Sequence, residues 1–161
     1  MMKPITLFLL TLFLLGLAVQ PVYGQSRANT SMNALLDRYV QSINLADSLA
    51  GKEFWSIGAE ISFINPRGNE YGWNGIRKIY EMFSETFSAR KLVYSDPRWT
   101  NYGTFAWVDF NWVFDATFRA NGKPLQTRGR ETQIWKKEKG KWRLVHVHYS
   151  GLPVTAVNQG F

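Results

Sequence analysis

The sequence contains no cysteine. That excludes disulfides, thiolate-built metal sites and a lipid-anchoring cysteine together, even in an exported compartment where disulfides would persist. Histidine is nearly absent as well. His146 and His148 are the only two, so a metal site would need a converging carboxylate to complete its ligands. Beyond one N-terminal stretch there is no long apolar run, and no internal repeat or low-complexity tract is present. Acidic residues are the scarcer charge, 12 Asp and Glu against 19 Lys and Arg, for a formal net charge of +7.

The apolar stretch is Ile5 to Val19, preceded by Lys3 and followed by Val22-Tyr23-Gly24. A short charged start, an apolar core too short to span a bilayer and small residues after it form the pattern of a secretory signal. Residues 1–24 are therefore expected to be a signal peptide, 25–31 a flexible leader, 32–154 one folded domain and 155–161 a C-terminal tail. The length suits a single domain with a proper core. The protein is expected to be exported, periplasmic or secreted, with no stable membrane insertion after cleavage. Lys136, Lys137, Lys139, Lys141 and Arg143 gather in one segment. Such a run reads as a solvated turn that keeps a sheet edge soluble, and no nucleic-acid partner is expected.

What is present divides into helical and extended halves. Leu35, Leu36, Tyr39, Val40 and Ile43 recur at helical spacing, with Thr30 or Ser31 as N-cap, and predict a helix from Met32 to about Asn44. Asp47 or Ser48 can cap a short second helix reaching about Trp55. Glu60 to Asn65 reads as a strand, and Pro66-Arg67-Gly68-Asn69 as a turn. A third helix opens at Gly75, with Ile76, Ile79, Tyr80, Phe83 and Phe87 forming one apolar stripe. Then the period changes, and Lys91–Trp99, Thr104–Arg119 and a hairpin over Thr127–Ser150 read as strands. Helices followed by a meander imply an α+β domain whose antiparallel strands curve round helices.

The hairpin carries the candidate chemistry. A polar loop ending in Gly140 suits a three-residue turn pairing Lys137 with Lys141. This register groups Glu131, Gln133, Val145, Val147 and Tyr149 on one face, and Arg130, Thr132, Ile134, Leu144, His146 and His148 on the other. On the preceding strand, Ala106, Val108, Phe110, Trp112, Phe114 and Ala116 share an apolar face, while Trp107, Asp109, Asn111, Val113 and Asp115 share the opposite one. His146 and His148 invite either a metal, with Glu131 or Asp109 completing it, or hydrogen bonds to Thr132 or Arg130. No metal-ligand motif is present, and neither metal nor cofactor is expected. Asp109 and Glu131 are the candidate general bases if a mostly apolar cavity raises a carboxylate pKa; buried acids paired with arginine are the alternative. Trp55, Trp73 and Trp99 are candidates to line such a cavity.

Gly129-Arg130-Glu131-Thr132-Gln133-Ile134-Trp135, then Gly140-Lys141-Trp142, then Val145-His146-Val147-His148-Tyr149-Ser150-Gly151 resembles the SnoaL-like branch of the nuclear transport factor 2 superfamily. The resemblance is closest to the association (hub) domain of calcium/calmodulin-dependent protein kinase II and its bacterial relatives. Gly72-Trp73-Asn74-Gly75-Ile76 and Asp96-Pro97 fit as well. The resemblance implies a cone-shaped α+β fold, a curved sheet wrapped around helices with a pocket at its open end, and a homodimer or larger homo-oligomer. The hub pocket's arginines correspond here to Val113, Gln133 and Tyr149, which favours the Asp109, Asn111 and Glu131 face as the pocket wall. It leaves Phe110, Trp112 and Phe114 for an outer, dimer-forming face, with His146 and His148 outward unless a bulge turns one in. The ligand-contact set implied is Trp55, Trp107, Asn111, Gln133, His146, His148 and Tyr149 about the catalytic candidates Asp109 and Glu131. Since the superfamily includes ketosteroid-isomerase-like isomerases, cyclases, dehydratases and non-catalytic scaffolds, three functions stay open: small-molecule binding, proton-transfer catalysis and oligomerisation.

Overall fold

The computed structural model describes residues 23–151, with side chains from Met32 onward. All but the last two residues of the expected signal, and the whole C-terminal tail, lie outside them. Helix α1 (Tyr23–Leu45) starts well before Met32. Residues 25–31, read as a flexible leader, have helical backbone, and no Gly or Pro in that stretch interrupts it. Leu36, Tyr39 and Ile43 form its buried stripe. Helix α2 (Ser48–Lys52) is held by Asp47, whose side chain accepts from the backbone N–H groups of Leu49 at 2.9 Å and Ala50 at 3.0 Å.

Strands β1 (Ser62–Asn65) and β2 (Gly68–Tyr71) form a small hairpin. Gly68 and Asn69, the second half of the expected Pro66-Arg67-Gly68-Asn69 turn, instead begin β2; Gly68-Asn69-Glu70-Tyr71 lacks β-branched residues, and as an edge strand it needs no apolar face. Helix α3 (Gly72–Thr86) follows directly, and β3 (Phe87–Asn101), β4 (Phe105–Phe118), β5 (Pro124–Glu138) and β6 (Lys141–Gly151) complete the chain. No helix among the described residues is long and apolar enough to cross a membrane.

The fold is α+β, with one six-stranded curved sheet in the order β2-β1-β6-β5-β4-β3. It is mixed, not purely antiparallel, because β1 runs parallel to β6. The parallel contact is seeded before β1 begins. Leu144 donates its backbone N–H to the Phe54 carbonyl at 2.8 Å and accepts from the Ser56 N–H at 3.0 Å.

The alternation along β4 identifies the core face. Ala106, Val108, Phe110, Trp112, Phe114 and Ala116 are all buried, under α1 and α3. Burying each large apolar side chain contributes about 1.5–3 kcal/mol, far more than an outer face could retain. The expectation that Phe110, Trp112 and Phe114 form an outer dimer surface is therefore corrected: they are core.

The β5–β6 hairpin contains two departures that cancel. Its turn has two residues, not three: Glu138 pairs with Lys141, and both Lys139 (φ 50°) and Gly140 (φ 79°) are left-handed, the type I′ geometry that matches strand twist. Lys is an unusual first residue for it, so the sequence pointed to the longer loop. Four pairs later, between Ile134 and Trp135, a bulge inserts Val145. Below the bulge Leu144 joins Trp135 in the core; above it Glu131, Gln133, Val147 and Tyr149 still share a face, as expected.

Candidate functional site

The strand pairings settle which side chains can meet. Phe110 pairs with Glu131, and Asp109 pairs with Thr132. Directly paired residues point to the same side of a sheet, so Glu131 shares the buried face of Phe110 and Trp112, while Asp109 faces outward. The expected shared face of Asp109 and Glu131 does not exist. Asp109 is exposed and accepts a hydrogen bond from the Thr132 hydroxyl at 2.6 Å. Asn111 is on the same outer face, donating to Asp96 at 3.2 Å, and Trp107 packs there against Tyr102 and Phe105. Val113 also points outward, away from Gln133 and Tyr149, so the three positions matching the hub arginines are not brought together.

His146 and His148 are outward too, paired with Ile134 and Thr132. The half-buried His146 ring shares a hydrogen bond with the Ser62 hydroxyl at 2.7 Å. Burial, and then the neighbouring His148, lowers its pKa. The bulge at Val145 does not turn either ring inward. Among the described residues no three His, Asp or Glu side chains converge in a way that could hold a metal ion. Trp55 is a core residue, 1 % exposed, whose indole N–H donates to the Tyr80 hydroxyl at 3.3 Å.

On the inner face, a cavity of about 610 Å³ opens between the sheet, α1, α3 and the β1–β2 turn. Phe63, Ile79, Met82, Phe114 and Leu125 supply an apolar lining, and Arg67 and Lys78 contribute exposed cationic side chains. Glu131, Thr127 and Tyr149 add polar groups from β5 and β6, and the ring of Trp112 also lines the cavity. Tyr39 reaches them from α1.

Glu131 is the centre of the arrangement. It is 4 % exposed and stands at the end of a relay along β5 in which alternate residues share one face. The Trp135 indole N–H donates to Gln133 Oε1 at 3.0 Å, and Gln133 Nε2 donates to Glu131 Oε1 at 2.8 Å. Gln133 is fully buried with both ends of its amide engaged, so it positions the carboxyl group and does not itself line the cavity. The Tyr39 hydroxyl lies beside it and acts on its ionisation in the same direction as Gln133. Burial pushes the Glu131 carboxyl from 4.5 up to about 7, against the opposing pull of Gln133 and Tyr39. Desolvation wins because, among the described residues, no cation pairs with the group. Tyr39 and Tyr149 are raised in turn, first by burial and then by the Glu131 charge; Arg67 partly offsets this for Tyr149.

Tyr39, Trp112 and Arg67 were not among the expected site residues. Tyr39 reads as part of a helical core stripe and Trp112 as part of an apolar strand face. Arg67 sits in a turn that contains no motif.

The model of the SnoaL-like domain family matches residues 32–155. The chain belongs to this family. Among solved structures, this SnoaL-like domain is similar to a nuclear transport factor 2-like superfamily protein from Salmonella enterica, at 39% identity over 85% of this chain and 99% of that one, with a TM-score of 0.79. The association domain of calcium/calmodulin-dependent protein kinase II from C. elegans matches at 16% identity over 79% of this chain and 98% of that one, TM-score 0.64. A Nostoc punctiforme protein with a cystatin-like fold matches at 15% identity over 81% and 95%, TM-score 0.64. The two low-identity likenesses concern the fold alone.

Proposed function

We propose that this is an exported SnoaL-like domain that binds a small, mostly apolar molecule in the inner cavity, with Glu131 placed to exchange a proton with it. The observation that carries this reading is the placement of Glu131: a carboxyl group with no cationic partner among the described residues, buried beside a largely apolar cavity large enough for a drug-sized molecule. A purely structural acid would gain from an arginine partner, and its pKa would fall rather than rise.

A second reading is supported by the same residue. A carboxyl group raised to about 7 is suited to take and return a proton near neutral pH, as an isomerase, cyclase or dehydratase requires. In that reading Glu131 is the base, Tyr39 and Gln133 position it, and Asp109 has no part. Activity would vanish in Glu131→Gln while binding survived.

The neutral apolar fluorophore N-phenyl-1-naphthylamine tests binding directly. It should bind one per chain with micromolar affinity and enhanced emission. Met82→Trp, which places an indole in the cavity from α3, should abolish the signal without unfolding the chain. No enhancement with the parent protein would remove the binding reading.

Export and self-association complete the proposal. The N-terminal pattern supports the first. The second is supported by the outer sheet face, where Val93 and Val113 remain 47% and 40% exposed, surface a second copy can cover. The exported protein should have an intact mass beginning near Gln25 and scatter light as a dimer or larger; a membrane-bound chain retaining Met1, or a monomer, would contradict these parts.

A further inference from the structure

Two turns at the end of the sheet away from the cavity carry side chains that the core does not use. The cavity takes Leu125, Thr127 and Glu131 from the first half of β5, whereas the β3–β4 and β5–β6 turns lie at the far end of that strand. The two tips are joined: Phe105 pairs with Lys136, and Lys137 donates its backbone N–H to the Thr104 carbonyl at 2.8 Å. On the first tip Tyr102 is 66% and Phe105 37% exposed, and both rings pack on Trp107, with centroids 5.5 and 6.1 Å away. The turn holds them out. Tyr102 donates its N–H to the Phe105 carbonyl at 2.8 Å, the Asn101 side chain accepts from the Gly103 N–H at 2.8 Å, and Gly103 supplies the left-handed φ of 84°. Since Ala106 and Val108 are the residues β4 turns inward here, the core gains nothing from aromatic side chains at Phe105 and Trp107. The second tip supplies charge. Lys136, Lys137, Lys139 and Lys141 are exposed and Arg143 is half-buried, with Glu138 the acidic residue among them.

We infer that this end of the sheet docks on an anionic lipid surface, with Tyr102, Phe105 and Trp107 entering at headgroup level and the lysines meeting the lipid phosphates. The sequence alone reads those lysines as a solvated turn; the aromatic cluster that the neighbouring hairpin places beside them gives the charge a partner. Trp and Tyr favour a boundary between apolar and wet surroundings, and Phe gains only from the apolar side. Clustered lysines next to such a contact are drawn to anionic headgroups, and their long stems lie along apolar surface while the charge stays outside. A soluble polyanion would meet the same charge and leave the aromatics in water. Stacking on a base or sugar needs a free ring face, and Trp107 already has Tyr102 and Phe105 packed against it. A second copy placed tip to tip would bring like charges together. Because no helix among the described residues is long and apolar enough to cross a membrane, the contact is peripheral. It also leaves the cavity accessible: β1 runs parallel to β6, so the β1–β2 turn beside the cavity lies at the opposite end of the sheet.

Vesicle sedimentation tests this. The exported protein is mixed with phosphatidylcholine vesicles, with and without about 30% phosphatidylglycerol, and should bind the anionic ones at least about tenfold more tightly, an advantage that salt removes. Tyr102→Ser combined with Phe105→Ser should weaken that binding about tenfold, and Lys136→Glu with Lys137→Glu and Lys139→Glu should abolish it. The same change of charge at the other end of the sheet, Lys91→Glu with Lys123→Glu and Arg128→Glu, should weaken it far less. All of these side chains are exposed, so the urea midpoints should stay near that of the parent. Brominated acyl chains should quench tryptophan emission, and Trp107→Phe should lose most of the quenching. No binding, equal binding to neutral and anionic vesicles, equal loss from the two charge variants, no effect of the aromatic pair, or no quenching would each overturn the inference. So would heparin capturing the protein with the same dependence on Tyr102 and Phe105, which would make the partner a soluble polyanion. A dimer that the aromatic pair splits in the absence of lipid would assign the cluster to a second copy and overturn it as well.

Discussion

At pH 8 the Glu131→Gln variant should resist urea better than the parent protein by about 2 kcal/mol, and at pH 4 the order should reverse. The sign follows from linkage. Glu131 ionises at 4.5 in an ordinary environment and at about 7 in the folded chain, so between those values the folded state binds more protons than the unfolded one and stability falls as pH rises. The penalty is absent below 4.5 and complete above 7, where the difference in pKa corresponds to about 3 kcal/mol. Glutamine has the same shape and cannot ionise. It forfeits the carboxyl group's best hydrogen-bond geometry at every pH, about 1 kcal/mol, but never carries the buried charge. Other titrating groups contribute to both proteins and cancel in the comparison. Parallel stability curves for the two proteins from pH 4 to 8 would mean that Glu131 is not held in a desolvated site.

The second large effect concerns a residue with no side chain. Gly129→Ala should cost about 3 kcal/mol, although its backbone conformation is open to any residue. The added Cβ would run into the Ser150 carbonyl of β6 on one side and the Trp112 indole on the other. The strand pairing must part or the indole must leave its place between Gly129 and Tyr149, and the cavity loses its shape either way. Urea denaturation should show the loss of stability, and the fluorophore titration a weakened site in whatever fraction still folds. A cost below about 1 kcal/mol would mean that β5 and β6 are not as closely apposed at Gly129 as the pairing with Gly151 requires.

Much of this architecture is legible in the sequence, because it rests on periodicities with a single physical meaning. The stripe of Ile76, Ile79 and Tyr80 can only be a helix face, and the alternation from Ala106 to Ala116 can only be a strand with one side buried. The face of the site was harder to read. Asp109, Asn111, Glu131 and Gln133 look alike as alternating polar residues, and the hub resemblance drew Val113 and Gln133 onto one face. The register between β4 and β5 decides otherwise. The β4–β5 connection decides it: Thr117 pairs with Pro124, so odd positions of β4 meet even positions of β5 and Asp109 points opposite to Glu131. The hairpin at Lys139-Gly140 was misjudged by one residue, yet the Val145 bulge restored the faces. A bulge fixed by main-chain bonds to Phe54 and Ser56 depends on a segment far away in sequence. No local pattern announces it.

The account turns on one group, and a carbon-13 NMR titration of the Glu131 side-chain carboxyl, assigned by its absence in Glu131→Gln, tests it most directly. A midpoint near 7, with the Tyr39 ring signals following the same curve, is the result expected of a desolvated carboxyl group poised in a cavity. A midpoint at or below 4.5 would make Glu131 an ordinary solvated or ion-paired acid and contradict the proposed site.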